Sequence, residues 1–284
     1  MRRAAVVGTF DGVHRGHLHL LDTLRRLSAE RSLQPLVVTF SRHPLALMAP
    51  ERVPAELTDA GSRRRLLEAE GFEVEVLDFN EDLRRLSAAE FLDMLRARYG
   101  VELFVLGFNN RIGSDRLGAA ELAGRTIGGV QVVAATENPE PGVSSSAIRR
   151  ALEQGDVDAA NRMFGRPYAI EGTVVSGRQL GRTIGFPTAN IEPAPGAALP
   201  AVGVYAGRML GHKAVVNIGR RPTVEGRADA PLSIEAHLLD FAGDLYGKHV
   251  SLELLSRLRG EQKFGGLDEL KKAIENDVQN ARNI

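Results

Sequence analysis

The sequence predicts two folds in one chain: an α/β half built on a parallel sheet, then a β-rich half that closes with a helix. Three observations carry that reading. Up to about Ala135, short apolar runs alternate with helical repeats, the pattern of a parallel sheet covered on both faces. Beyond Pro167, short strand-like runs follow one another across Gly and Pro turns with few helices between them. The length of 284 residues exceeds one average domain and makes two the default.

In order, residues 4–7 form an apolar run closed by Gly8 and read as a buried strand. Leu18, Leu21 and Leu24, with Leu20 and Leu27 beside them, share one face of a helix. Residues 36–40, 73–77, 103–106 and 131–135 read as four further strands. The clearest helix among them, Ala88–Tyr99, opens with the capping box Ser87-Ala88-Ala89-Glu90. Arg63-Arg64-Arg65, the longest basic run, lies on another helix and reads as a solvated face. Residues 151–163 read as helix interrupted at Gly155, with Asp156 as a fresh cap, until Gly165-Arg166-Pro167 stops it. That break divides the chain into domains 1–162 and 163–284. In the second, residues 168–175, 202–209, 213–218, 233–238 and 250–258 predict an antiparallel barrel or sandwich. A helix over 267–280 presents Leu267, Leu270, Ile274 and Val278 to it.

Composition removes several classes of function. The 36 basic and 36 acidic residues cancel, so no global field draws in nucleic acid, and basic and aromatic residues do not interleave. No run approaches the roughly 20 apolar residues of a membrane span, and the apolar run ending at Gly8 is too short for a signal peptide. The absence of cysteine excludes thiol chemistry and fits a reducing compartment, so a cytoplasmic location is expected. The sequence assigns no oligomeric state.

Two stretches concentrate polar chemistry. Gly181-Arg182-Thr183-Ile184-Gly185-Phe186-Pro187-Thr188-Ala189-Asn190 joins glycines that admit a phosphate to Arg182, a bidentate cationic donor, and to Pro187, which stiffens the turn. If extended, it points Thr188 and Asn190 the same way, a hydroxyl and an amide oxygen suited to Mg²⁺. A glycine-rich hairpin with a polar edge is the alternative. Before it, Gly177-Arg178-Gln179-Leu180-Gly181-Arg182 reads as a loop covering phosphates. Glu235 lies mid-strand among apolar residues, where a carboxylate is usually functional, although an outward-facing strand residue fits the same alternation. In the first half, the first strand ends in Gly8-Thr9-Phe10-Asp11-Gly12-Val13-His14-Arg15-Gly16-His17, at the carboxyl edge where such sheets bind ligands. Gly8 and Gly12 permit close approach, and His14 and His17 share a side of the first helical turn, ready to donate to phosphate oxygens. His43 and Asn109 follow other strands, and Ser145, Ser146 and Arg149 form either a helix cap or an anion site.

Gly-Phe-Pro-Thr-Ala-Asn at 185–190 resembles the corresponding segment of riboflavin kinases. Gly8–His17 resembles the Gly-x-Phe-Asp-Gly-Val-His-x-Gly-His form of the nucleotidylyltransferase motif found in FAD synthetases. From about residue 4 to about residue 280 the chain resembles the bacterial bifunctional riboflavin kinase/FMN adenylyltransferase family. That resemblance implies an N-terminal Rossmann-like nucleotidylyltransferase domain and a C-terminal antiparallel Greek-key β-barrel with a terminal helix. The activities implied are phosphorylation of riboflavin by MgATP to FMN, and adenylylation of FMN by ATP to FAD with release of pyrophosphate. Riboflavin, FMN and ATP are then the small-molecule substrates, and Mg²⁺ is expected on the phosphates at both sites.

The resemblance also assigns residues. His14 and His17 bind the ATP phosphates and stabilise the transition state, with Asn109 and Arg149 beside them. Gly8, Phe10, Asp11, Gly12, Ser145 and Ser146 belong to the nucleotide-binding set. His43, in Phe-x-x-His-Pro, is carried over as a nucleotide- or flavin-site residue. Thr188 and Asn190 hold the metal, and Gly177, Gly181, Arg182, Thr183, Pro187 and Asn217 bind substrate. Asn217 lies in Asn217-Ile218-Gly219-Arg220-Arg221-Pro222-Thr223, which the residues alone read equally well as a turn. Glu235 is the general base toward the riboflavin 5′-hydroxyl. Asp240–Gly247 resembles the loop that follows in the family and is assigned no chemistry. Asn110 and Ile112 replace the family's usual aromatics, which reduces stacking area in the N-terminal half. A kinase with a weak or inactive adenylyltransferase half, or a non-catalytic flavin-binding regulator, are the alternative functions.

Overall fold

The computed structural model describes residues 1–136, 140–177, 180–220 and 232–284, in two compact units, Met1–Ser144 and Ser145–Ile284. The first unit runs β1 (Arg3–Val7), α1 (Arg15–Glu30), β2 (Gln34–Phe40), α2 (Leu45–Met48), a 3₁₀ turn (Pro50–Arg52), α3 (Ala60–Ala69) and β3 (Glu73–Leu77). It continues with α4 (Glu81–Arg85), α5 (Ala88–Tyr99), β4 (Val101–Leu106), α6 (Ala119–Leu122), β5 (Thr126–Ile127) and β6 (Val130–Ala134). The sheet order is β3-β2-β1-β4-β6-β5. Five strands are parallel, as expected, and the two-residue β5 adds an antiparallel edge.

Alternation along the strands sends side chains to both faces of the sheet. Ala5, Val7, Leu36 and Val38 pack with Phe91, Leu92 and Leu95 of α5, whereas Ala4, Val6 and Val37 pack with Leu21, Leu24 and Leu27 of α1. The capping box is formed: the Glu90 N–H donates to Ser87 Oγ at 3.3 Å, and the Ser87 N–H donates to Glu90 Oε2 at 2.8 Å. The helix ends at Gly100, whose φ of 71° is the left-handed cap that glycine adopts without strain.

The triple-arginine run departs from expectation. Arg64 and Arg65 are exposed, but Arg63 retains only 4% of its surface. Helical spacing puts it one turn before the buried Leu67, on the face of α3 that meets the sheet. Its Nη2 donates to the Phe40 carbonyl at 2.6 Å, tying α3 to the end of β2. Burial pushes the guanidinium's pKa down, opposed by the carboxylates of Asp11, Glu56 and Asp59.

The second unit opens with α7 (Ser145–Glu153) and α8 (Val157–Phe164), then β7 (Tyr168–Val175), α9 (Leu180–Thr183), β8 (Ala189–Pro193), β9 (Gly203–Met209), β10 (His212–Arg220), β11 (Leu232–Leu238), β12 (His249–Arg259) and α10 (Leu267–Asn283). The strands close a six-stranded antiparallel barrel in the order β10-β11-β8-β7-β12-β9. The five expected runs are present, and the sixth strand is β8, inside the glycine-rich stretch. The compact units meet at Ser144/Ser145, whereas the break in sequence pattern lies at 162/163. The difference is the α7–α8 hairpin, which bonds to the barrel. Asn161 Nδ2 donates to the Leu254 carbonyl at 2.9 Å, and the Ala201 N–H donates to the Leu152 carbonyl at 2.9 Å.

The terminal helix docks through its second half. Leu267 is 69% exposed and does not pack, contrary to expectation, while Val278 and Ala281 pack against Val204, Val215 and Leu239. The buried Asp277 receives Arg259 Nη2 at 2.8 Å, and that pair draws this end of the helix down. Among the described residues no helix is long and apolar enough to cross a membrane.

Arg63→Met should loosen the first unit by about 2 kcal/mol, the range for losing a charge-assisted buried hydrogen bond. Hydrogen exchange should rise at Ser41 and at Leu57–Thr58 while amides of the barrel keep their protection.

Candidate functional site

In the first unit, β1 lies between β2 and β4, so the chain leaves the sheet in opposite directions on its two sides. Beyond β1 the backbone takes positive φ at Phe10 (46°), Gly12 (88°) and Val13 (40°), a tight and strained turn. Asp11 is buried, and its Oδ1 accepts from the Leu57 and Thr58 N–H groups at 2.9 and 3.1 Å. The Gly12 N–H donates to Thr58 Oγ1 at 3.0 Å. Asp11 and Gly12 thus clamp the loop before α3 to the turn.

His14 caps α1. Its Nδ1 accepts from the His17 N–H at 3.3 Å, so the neutral ring carries its proton on Nε2. The two imidazoles stack with centroids 3.7 Å apart, and buried Phe10 meets His17 edge-on at 5.3 Å. Gly8 lies against the Phe10 ring, so both residues seat the histidine pair. His43 follows β2, and its Nδ1 accepts from the Leu45 N–H at 3.1 Å.

Asn109 follows β4 and is exposed, next to Phe108 at 44% exposure. Of the two replaced aromatics, Ile112 packs in the core and Asn110 Nδ2 donates to the Val7 carbonyl at 3.2 Å. The exposed aromatic just after β4 is Phe108. Sequence reading missed it because attention went to the replaced positions. Ser145, Ser146 and Arg149 lie in the second unit, at the start of α7 and one turn into it.

In the barrel, backbone register assembles the second site. Asn190 of β8 is the direct partner of Glu235 on β11, and Glu235 is the direct partner of Asn217 on β10. Directly opposed residues share a face, so the three side chains form one row on the outer wall. Their neighbours Ile191, Ile234, Ala236 and Ile218 are buried on the other side. Among the described residues no hydrogen bond or ion pair engages the Glu235 carboxylate. Asn190 is 8% exposed because the chain after β7 passes over it: a Cβ at Gly177 would overlap its carboxamide. Two other glycines serve the turn itself. Gly181 lies against the Phe186 carbonyl, and Gly185 has φ of 92°. Gly177 and Gly181 are packed against protein atoms, the Asn190 carboxamide and the Phe186 carbonyl.

A cavity of about 640 Å³ opens beside this row. It is lined by inward-facing Val174, Ala236 and Leu238, by Arg182, Pro187 and Thr188, and by the loop Phe241–Tyr246. That volume suits a small-molecule site. Phe241 and Tyr246 are functional candidates that sequence reading left without a role. Tyr246 is exposed and Phe241 half-buried, and two aromatics within six residues in a chain only 5% aromatic were the available signal. Arg178, Gln179 and the Arg221-Pro222-Thr223 part of the Asn217 motif lie outside the described residues.

Comparison with known proteins bears on both sites. The profile for FAD synthetase matches residues 1–147 and that for riboflavin kinase matches residues 164–284. The bifunctional riboflavin kinase/FMN adenylyltransferase of Escherichia coli (strain K12) is 40% identical over 288 residues, covering 97% of this chain and 90% of that protein. The protein of the same name in Bacillus subtilis (strain 168) is 37% identical, covering 97% and 90%. The chain belongs to the bifunctional riboflavin kinase/FMN adenylyltransferase family. Its C-terminal half phosphorylates riboflavin to FMN with ATP, and its N-terminal half adenylylates FMN to FAD. The kinase-only and regulator alternatives give way to this. A crystal structure titled as a macrolide-efflux protein from Streptococcus pneumoniae shares the fold, with a TM-score of 0.87 and 31% identity, covering 100% of this chain and 94% of that one.

Gly177→Ala should force Asn190 out of the row, because the added methyl overlaps its carboxamide. Riboflavin kinase kcat/KM should fall at least tenfold, while FAD formation from supplied FMN stays within twofold of the parent; a kinase rate equal to the parent's would refute the contact.

Proposed function

We propose that phosphoryl transfer to riboflavin takes place at the outer-wall row of the barrel, with Glu235 as general base. The observation that carries this is the register Asn190–Glu235–Asn217, an acid flanked by two carboxamides on adjacent strands. In that reading the riboflavin 5′-hydroxyl oxygen bonds to the γ-phosphorus of ATP, the bond to the ADP oxygen breaks, and the hydroxyl proton passes to Glu235. Arg182, at the rim of the cavity, pairs with the phosphates, with Thr183 and Pro187 of the same turn beside them and Gly177 and Gly181 shaping the path around them. Asn217 bonds the substrate next to Glu235.

The donor set suits Mg²⁺. Thr188 offers a hydroxyl and Asn190 an amide oxygen held in place by Gly177, and Mg²⁺ needs only one or two protein oxygens when phosphates and water complete its shell. When bound there, the ion would neutralise charge developing on the phosphates.

At the edge of β1, an FMN phosphate oxygen attacks the α-phosphorus of ATP and pyrophosphate leaves. The step asks mainly for positioning and neutralisation, which the stacked His14 and His17 supply as donors to phosphate oxygens. Asn109 and His43 contact nucleotide or flavin. We assign Ser145, Ser146 and Arg149 to the ATP phosphates as well, with hydroxyls, a helix N-terminus and a bidentate cation to offer. We draw the functional division at 162/163, so that α7 counts with the adenylyltransferase, and we place the enzyme in the cytoplasm, in keeping with its lack of cysteine.

Chromatography of flavins after incubation with ATP and Mg²⁺ separates the two sites. Glu235→Gln should lower FMN formation from riboflavin by 10²-fold or more, as loss of a general base does, and leave FAD formation from FMN intact. His17→Ala should do the opposite. Parallel loss of both activities in either variant would mean the residue was assigned to the wrong site. Chelation of the metal should halt riboflavin phosphorylation, and restored Mg²⁺ should recover it.

A further inference from the structure

The ladder between β8 and β11 stops one residue short of the turn that carries Thr188. Its pairs are Ile191 with Ile234, Asn190 with Glu235, and Ala189 with Ala236. Past Ala189 a side chain takes over the tether. His237 Nδ1 lies 2.8 Å from the Pro187 carbonyl oxygen, and because a carbonyl only accepts, Nδ1 carries the proton and donates. The Phe186 ring meets His237 edge-on, with centroids 5.5 Å apart at 85°. One imidazole therefore engages two consecutive residues immediately before Thr188.

The strand geometry aligns this contact with the site. Side chains two apart on a strand share a face, so His237 stands on the same wall as Glu235, as the strand-parity position of Thr188 matches that of Asn190. Among the described residues the β8–β11 ladder itself does not reach the turn: Gly185 takes a φ of 92°, and the Phe186 N–H is used within the turn, on the Gly181 carbonyl at 2.8 Å. The turn is joined to β11 through His237.

We propose that His237 is a positioning residue of the riboflavin kinase reaction, which holds Pro187 and Thr188 against β11 so that the Thr188 hydroxyl and the Asn190 amide face the nucleotide phosphates together, beside Glu235. This rests on the reading of Thr188, Asn190 and Glu235 as the phosphoryl-transfer site. His237 itself touches no reacting atom in this role. It acts through the turn.

The test compares His237→Ala, His237→Phe and His237→Asn in the full-length enzyme. Phenylalanine keeps the ring contact with Phe186 and removes the donor, and asparagine restores an N–H near the place of Nδ1. The expected result is a rise of about tenfold in the KM for ATP in the kinase assay for the Ala and Phe variants, with kcat changed less than threefold. The Asn variant should lie within threefold of the parent. FAD formation from supplied FMN, measured on the same preparations, should be unchanged in all three and report an intact fold. Parent-like kinetics in His237→Phe would overturn the proposal, since the hydrogen bond would then do nothing. Equal losses in all three, Asn included, would overturn it in favour of simple packing. Thr188→Ala and Glu235→Gln serve as controls on the underlying reading. If they leave FMN formation intact, the site assignment falls; if they abolish it while His237→Ala keeps the parent KM, only the role of His237 falls.

Discussion

Three residue pairs join β8 to β11, and the placement of Asn190, Glu235 and Asn217, the proposed kinase residues, follows from their register. Because side chains alternate with a period of two, a slip of one residue would turn Asn190 into the barrel and bring Ile191 out beside Glu235. The register is held from the inside: Ile191 and Ile234 are buried together, and Ala236 has no exposed surface. Burying those residues on the inner face is what commits Asn190 and Glu235 to the outer one. The apolar interior thereby selects which polar groups meet, and closure of the barrel gives each strand two partners, which extends the row to Asn217.

The first unit solves its positioning problem with charge and backbone strain. The turn after β1 holds two non-glycine residues at positive φ, which persists only where surrounding contacts over-determine it. Those contacts are the Asp11 carboxylate on two backbone N–H groups and the Gly12 N–H on Thr58. Arg63 stands behind them, fastened to the end of β2 and drawn toward Asp11 and Glu56. Such a cation is tolerated out of water because carboxylates face it, and its removal would leave them uncompensated. The stacked histidines sit at the edge of this rigid frame, so their orientation is inherited from it.

How much of this was legible in the sequence depends on whether a signal was local. Periodicity and capping chemistry are local, and they gave the five parallel strands, the Ser87–Glu90 box, the Asp156 cap and the strand Tyr168–Val175. The histidine pair and Glu235 stood out because their residue types are unusual at such places. Strand β8 was harder, since it is short, ends in proline and carries a polar residue second. Arg63 was unreadable, because three adjacent arginines look alike until the sheet selects one side of α3. Leu267 misled for the same reason: periodicity names a face of α10 but not the portion that touches the barrel. Gly177 and Gly181 are approached closely by the Asn190 carboxamide and the Phe186 carbonyl, partners that no local sequence signal names, whereas Gly185 serves a turn at positive φ.

The cavity and the outer row that together make the proposed kinase site lie on opposite faces of one wall. The cavity takes its lining from inward-facing Val174, Ala236 and Leu238, and the acid stands on the outer wall with Asn190 and Asn217. A phosphoryl transfer needs the nucleotide and the hydroxyl to meet at one phosphorus, so some element has to pass from the cavity to the outer row. The segment Pro187–Asn190 does this: its first three residues line the cavity and its fourth enters the row. On the proposed site assignment, local order at this segment bears on transfer more directly than the depth of the cavity does. That explains why the chain crowds glycine contacts, a proline and a histidine tether into so few residues, where general packing of the barrel would already have made it stable.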